Sequence, residues 1–210
     1  MPKNILVICA HDDDFIISGG GTLLKYIDQG NNIIQVIFSS GEKSHPHLKK
    51  SIIIGKRKRE TAKIADEIGI KEVIHFNLED AKLSQKIDDK VKDKLKDLIQ
   101  KYKPNKIFSV SDKDTHPDHR AVNKTVLEVV DSIKKTYPVY TFQVWNIFEE
   151  NLPVLTEDVS DYFNEKIRLM KEHKSQWLFV YLQLIPIYVK GIVNGLKHNC
   201  KYAEVFYKVR

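Results

Sequence analysis

Short apolar runs rich in Ile, Val and Phe alternate along this chain with longer segments whose apolar residues recur every three to four positions. The strand-like runs cover residues 4–10, 32–38, 72–77, 106–110 and 140–147, and the helical segments cover 22–28, 51–68, 85–102 and 121–135. Gly30, Gly69 and Pro104 punctuate the helix ends. A parallel neighbour can be reached only through a crossover, and crossovers are right-handed, so the alternation predicts the α/β class. The expected architecture is a Rossmann-like three-layer α/β/α sandwich around a mostly parallel sheet of strand order 3-2-1-4-5. In that order strands 1 and 4 are neighbours whose connections leave in opposite directions. A crevice then opens at their carboxyl ends, where any chemistry is expected. Beyond residue 147 the pattern turns helical over 159–177 and 179–197 and ends in an alternating strand over 202–209, read as a small C-terminal flank on the same core.

No internal repeat, low-complexity tract or linker divides the chain, so residues 1–210 are expected to form a single domain. A chain of this length buries roughly 70% of the surface it exposes when unfolded. Its 42% hydrophobic residues can therefore fill a core without staples. Cys9 and Cys200 do not suggest a disulfide framework, and the first apolar run is too short for a signal peptide, so a cytoplasmic setting is expected. The most apolar stretch, residues 177–195, is interrupted by Gln183, Pro186, Lys190 and Asn194. It reads as a packed helix pair or a contact in a homo-oligomer, not as a membrane insertion. The 34 Lys and Arg against 28 Asp and Glu give a net charge of +6, but lysines and acids are interleaved. Solvated helix faces explain that pattern, and no nucleic-acid partner is expected.

Two loops carry the chemistry. The first reads Ala10-His11-Asp12-Asp13-Asp14, and the loop after the fourth strand reads Asp112-Lys113-Asp114-Thr115-His116-Pro117-Asp118-His119. Imidazole nitrogens and carboxylate oxygens on converging loops suit a zinc site with three protein ligands and an open position for water. Without a dication the clustered acids would repel one another. Neighbouring residues of an extended loop point apart, so one of Asp13 and Asp14 can ligate metal while the other faces the bound water. His116 and His119 can divide the same way, one on the metal and one toward the reacting group.

These motifs resemble those of the LmbE/PIG-L-like zinc-dependent de-N-acetylases, which remove acetyl groups from N-acetylglucosamine-type amino sugars. The family's A-H-P-D-D followed by G-G-T is matched by Ala10 to Asp14 with Gly20, Gly21 and Thr22, and its H-P-D-H by His116 to His119. Less specific matches are R-x-x-E at Arg57 to Glu60, the helix-ending Ile68-Gly69, H-x-S-Q at His173 to Gln176, and E-x-F at Glu204 to Phe206. The resemblance implies Zn2+ held by His11, Asp14 and His119, with Asp13 as general base and a protonated His116 stabilising the oxyanion. It further implies that Asp118 orients a ligand or tunes His116, and that Arg57 holds substrate. Two positions depart from the family pattern: Asp12 stands where proline is usual, and Phe15 where a glutamate commonly follows.

The expected activity is a zinc-dependent hydrolysis of an N-acetylated amino sugar or small-molecule conjugate. A hydrolase of another amide or ester is the nearest alternative. A non-catalytic nucleotide-binding module is disfavoured, because Gly19-Gly20-Gly21 follows three acids and Leu24 occupies the last glycine position of the G-x-G-x-x-G fingerprint. His45 and His47 read as surface or substrate-rim residues, His75 as core or sheet edge, His198 as a solvated helix end, and Cys9 as an inert buried thiol. His173 reads as an ordinary helical histidine apart from the resemblance.

Overall fold

The computed structural model describes residues 2–45, 47–145 and 151–210. Its parallel strands are β1 (Asn4–Cys9), β2 (Asn32–Ser39), β3 (Glu72–Leu78), β4 (Lys106–Val110) and β5 (Val139–Phe142). Two further strands, β6 (Val154–Asp158) and β7 (Ala203–Lys208), pair antiparallel and extend the sheet to the order β3-β2-β1-β4-β5-β7-β6. The core order therefore matches 3-2-1-4-5, with the C-terminal flank joining the sheet edge. Strands β1, β2 and β4 are buried on both faces, as a parallel sheet between helical layers requires.

The helices are α1 (Asp14–Asp28), α2 (Lys50–Ile68), α3 (Leu83–Lys86), α4 (Asp89–Tyr102), α5 (Pro117–Asp131), α6 (Phe163–Glu172) and α7 (Trp177–Lys197). Three boundaries differ from expectation. The helix expected from residue 22 begins at Asp14, because the acidic loop runs straight into α1, and a kink at Gly19 (φ −134°) breaks it in the middle. The helix expected over 159–177 shrinks to α6, with a turn before it and His173 and a short 3-10 turn over 174–176 after it, and residues 154–158 form an edge strand whose half-exposed pattern carries no clear alternation. The strand expected over 140–147 ends at Phe142, and residues 146–147 lie outside the described residues.

The glycine run is a packing device. A Cβ at Gly21 would meet Val159 at 2.7 Å, and one at Gly19 would meet the Phe15 ring at 2.8 Å. Past the Gly19 kink, the amides of Gly21 and Thr22 point to the buried Glu204 carboxylate at 3.0 and 2.7 Å, and Lys166 Nζ donates to the same group at 2.7 Å. Glu204 thus acts as a cap within α1 and ties β7 and α6 to it. This accounts physically for the G-G-T and E-x-F matches and leaves no phosphate cradle there. Phe15, in place of the common glutamate, packs against Phe108 and Phe142 in the core.

Candidate metal centre

β1 has β2 on one side and β4 on the other, so the β1–α1 and β4–α5 loops flank the switch point of the sheet. Each loop is held by its own side chains. Asp14 Oδ2 accepts from the backbone amides of Ala10 at 2.9 Å and His11 at 2.8 Å, which leaves Oδ1 to face the crevice. His116 is the N-cap of α5, its Nδ1 accepting from Asp118 N at 3.2 Å, with Pro117 in the first turn where a missing N–H costs nothing.

The side chains expected to ligate converge. His119 Nε2 lies 3.2 Å from Asp14 Oδ1 and 3.4 Å from His11 Nδ1, and His11 Nδ1 lies 3.6 Å from Asp14 Oδ1. Ligands about 2.0–2.1 Å from a tetrahedral zinc stand roughly 3.3 Å apart, so these three atoms have the spacing of one triangular face around such an ion. The donor set therefore fits a divalent cation. His116 also offers a nitrogen to a looser grouping with His11 and His119, all within 4.8 Å, but the engaged Nδ1 and the wider spacing favour Asp14 as third ligand.

The far nitrogen of both the His11 and the His119 ring faces a carboxylate. His11 Nε2 is 3.2 Å from Asp80 Oδ1 and 3.8 Å from Asp118 Oδ2. His119 Nδ1 is 3.2 Å from Asp114 Oδ2, a charge contact whose angle falls short of a hydrogen bond. Such partners fix ring orientation and tautomer around a metal. Asp80 and Asp114 had no place in the sequence-derived site. Asp80 sits after β3, a loop that the strand order brings beside β1 only across β2. Asp114 stands in the second motif itself, where its carboxylate accepts from the amides of His116, Val144 and Trp145.

Asp118 is buried and accepts from Ala81 N at 2.7 Å and Leu83 N at 3.0 Å. It holds the segment that presents Asp80, and so acts on His11 through that loop. His116 is held differently from the protonated ring expected. Burial, followed by the neighbouring His11 and His119, lowers its pKa, and the accepting Nδ1 puts the proton of the neutral ring on Nε2.

Asp13 and Arg57 line the same cavity, about 250 Å³ in volume, with Trp145, Phe179 and Gln176 at its walls. Arg57 is buried and divided between two carboxylates: Nε donates to Asp12 Oδ2 at 3.0 Å and an Nη to Asp13 Oδ1 at 3.2 Å. Asp12, the residue in the proline position, also accepts from Thr61 Oγ1 at 2.9 Å. Burial penalises its charge, but Arg57, His75 and the Thr61 hydroxyl together outweigh that and lower its pKa. The weaker motifs support the wall: Glu60 accepts from Ser175 N and Oγ at 2.9 and 2.6 Å, and Gln176 Nε2 donates to Ser44 Oγ at 2.9 Å. His173 is buried, with its Nδ1 lacking a hydrogen-bond partner among the described residues. His45 and His75 lie off this cavity, and burial followed by the Asp14 charge pushes the Cys9 thiol well up.

In the metal-free protein, burial opposes charge on His11 and His119, yet the surrounding carboxylates outweigh it and push the two rings up to about 10 and about 9. A metal needs neutral imidazole, so metal binding must displace these protons, and affinity should rise with pH up to that range. Titration calorimetry in buffers of different ionisation enthalpy checks this: the apparent heat should vary with buffer, and a constant heat would contradict proton release. Asp80→Ala should weaken metal binding about 10–100-fold, read by competition with a chelating dye.

The profile of the GlcNAc-PI de-N-acetylase (PIG-L) family matches residues 6–130, more than half the chain and both motif loops. A Bacillus cereus protein, a probable N-acetyl-alpha-D-glucosaminyl L-malate deacetylase, is 26% identical over 142 residues, 64% of this chain and 64% of that protein. The match thus spans just under two thirds of this relative. Among solved structures, N,N'-diacetylchitobiose deacetylase from Pyrococcus horikoshii aligns with a TM-score of 0.83 at 21% identity over 99% of this chain and 84% of its own. GalB, the 4-carboxy-2-hydroxymuconate hydratase of Pseudomonas putida, aligns equally well, with a TM-score of 0.83 at 20% identity over 99% and 96%. One fold thus carries both a deacetylase and a hydratase, so the reaction has to be argued from the site. With its sheet order, its two converging loops and a profile match that includes them, this chain belongs to the GlcNAc-PI de-N-acetylase (PIG-L) family.

Proposed function

We propose that this protein is a Zn2+-dependent hydrolase that removes the acetyl group from an N-acetylglucosamine-type amino sugar or a small-molecule conjugate bearing one. The observation that carries this reading is the 3.2–3.6 Å triangle of His11 Nδ1, Asp14 Oδ1 and His119 Nε2 beside the Asp13 carboxylate. Family membership and the activities named for the B. cereus and P. horikoshii proteins support the substrate class. Both cysteines are free thiols, which suits a reducing compartment such as the cytoplasm.

An acetamide is a poor electrophile and its amine a poor leaving group. His11, Asp14 and His119 would hold the zinc ion, which when bound would supply Lewis-acid polarisation of the acetyl carbonyl and a water acidified to a pKa of about 7. Asp13, oriented by Arg57, takes a proton from the attacking water as its oxygen bonds to the carbonyl carbon. His116 donates from Nε2 to the developing oxyanion, with Asp118 and Asp114 fixing its loop. When the C–N bond breaks, Asp13 returns the proton to the amine nitrogen, acetate leaves, and the sugar keeps a free amine. Arg57 lines the cavity and would hold substrate hydroxyls through the N–H groups that Asp12 and Asp13 leave unused.

A free-amine assay over a panel of N-acetylated amino sugars tests this. Turnover should vanish in strong chelator and return with zinc. Undiminished hydrolysis in chelator, or no amine from any N-acetyl sugar by the zinc-loaded protein, would overturn the reading.

A further inference from the structure

Helix α7 is the most anomalous element of the surface. Contrary to the expected helix pair, residues 177–197 form one helix, about 32 Å long at 1.5 Å per residue. Its inner stripe, Val180, Gln183, Ile187, Gly191 and Gly195, packs on the body. A Cβ at Gly191 would strike Phe163 at 2.8 Å, so this stripe is closely fitted. The outer side is different. Leu178, Tyr181, Leu182, Ile185, Val189, Ile192, Val193 and Leu196 are all exposed, Ile185 at 76% and Leu196 at 74%. At about 100° per residue, the exposed apolar and aromatic positions from Trp177 to Leu196 sweep roughly 200° of the helix circumference, with no charged side chain among them. Only 28% of the most apolar window is buried, so this is not a core helix. An apolar face of this size is expected to have a partner.

Three observations say what covers it. One partner helix takes a stripe of about 100°, half of what α7 exposes. The charge along the segment is positive: residues 173–203 contain Lys174, Lys190, Lys197 and Lys201 and no Asp or Glu, and although Lys174 lies 3.9 Å from Glu172 and Lys190 lines the cavity beside the helix, Lys197 and Lys201 are exposed at its C-terminal end. Finally, the face is continuous with the catalytic crevice. A cavity of about 590 Å³ runs beneath α7 past Leu182, Ile185 and Val189, and shares Ile17, Val144 and Trp145 with the wall of the metal-site cavity. At the mouth the Trp145 and Phe179 rings meet nearly at right angles, 6.1 Å apart.

We propose that α7 docks this protein on an anionic lipid bilayer, lying in the interface with its outer face among the acyl chains and its lysines at the headgroups. The helix lies on the membrane and does not cross it, because its inner stripe stays packed on the sheet domain. Trp177, Tyr181 and Tyr188 supply the amphipathic rings that favour the headgroup level.

Co-sedimentation with vesicles of phosphatidylcholine alone, and of phosphatidylcholine mixed with phosphatidylglycerol, tests the docking without reading turnover, so it stands apart from the amine assay. The full chain should pellet with vesicles, more strongly with the anionic mixture and less at high salt. Ile185→Asp combined with Leu196→Asp should lower partitioning at least about 100-fold, since two exposed aliphatic side chains are withheld from the acyl region. Both positions are exposed, so the thermal melt and metal content should be unchanged, and Leu182→Asp serves as an independent variant. Protein that stays in the supernatant with both vesicle types overturns the proposal. So does vesicle binding that these variants leave intact. If light scattering then shows an oligomer that Ile185→Asp dissociates, the face belongs to a second copy of the chain.

Discussion

His119→Ala should lose both the metal and all measurable turnover. The ring is fully buried, and its Nε2 closes the triangle with Asp14 Oδ1 and His11 Nδ1. Alanine leaves two protein donors where a catalytic zinc site uses three. Removing a residue that merely orients a ligand costs about 10–100-fold in metal affinity, so removing a ligand itself should exceed 100-fold. Elemental analysis after dialysis checks it. A variant that keeps near-stoichiometric zinc would show that His119 is not a ligand.

Asp13→Asn should separate chemistry from metal binding. The amide has nearly the shape of the carboxylate, and its oxygen can still accept from Arg57, but it cannot take a proton. The metal triangle uses neither Asp13 oxygen, so zinc content should stay near wild type while kcat falls about 10²–10⁴-fold, the usual worth of a general base. Metal loss equal to that of His119→Ala would mean that base and ligand are assigned the wrong way round.

The sheet order was legible because β1, β2 and β4 are apolar on both faces and each is followed by a helix, a pattern that admits few topologies. β6 was not legible: Val154–Asp158 is a half-exposed edge strand whose place is set by pairing with β7, about fifty residues later in the chain. The same division runs through the site. His11, Asp13, Asp14, His116 and His119 lie in two compact motifs whose loops the topology brings together. The supporting carboxylates are harder to see. Asp80 is an ordinary loop acid in sequence, and only the fold, with Asp118 gripping the amides of Ala81 and Leu83, turns it toward His11 Nε2. Asp12 shows the opposite case, a visible departure whose meaning needed coordinates. It takes the Nε of Arg57 and so helps aim the other end of that guanidinium at Asp13. The tautomer of His116 was likewise beyond sequence, because it depends on a backbone amide two residues along the helix start.

The central claim is that His11, Asp14 and His119 grip one divalent cation. Anomalous diffraction at the zinc edge from protein reconstituted with one equivalent of metal tests it most directly. One peak is expected about 2.0–2.2 Å from His11 Nδ1, Asp14 Oδ1 and His119 Nε2 together. A peak on the other side of the His11 ring, between Nε2 and the carboxylates of Asp80 and Asp118, would contradict it.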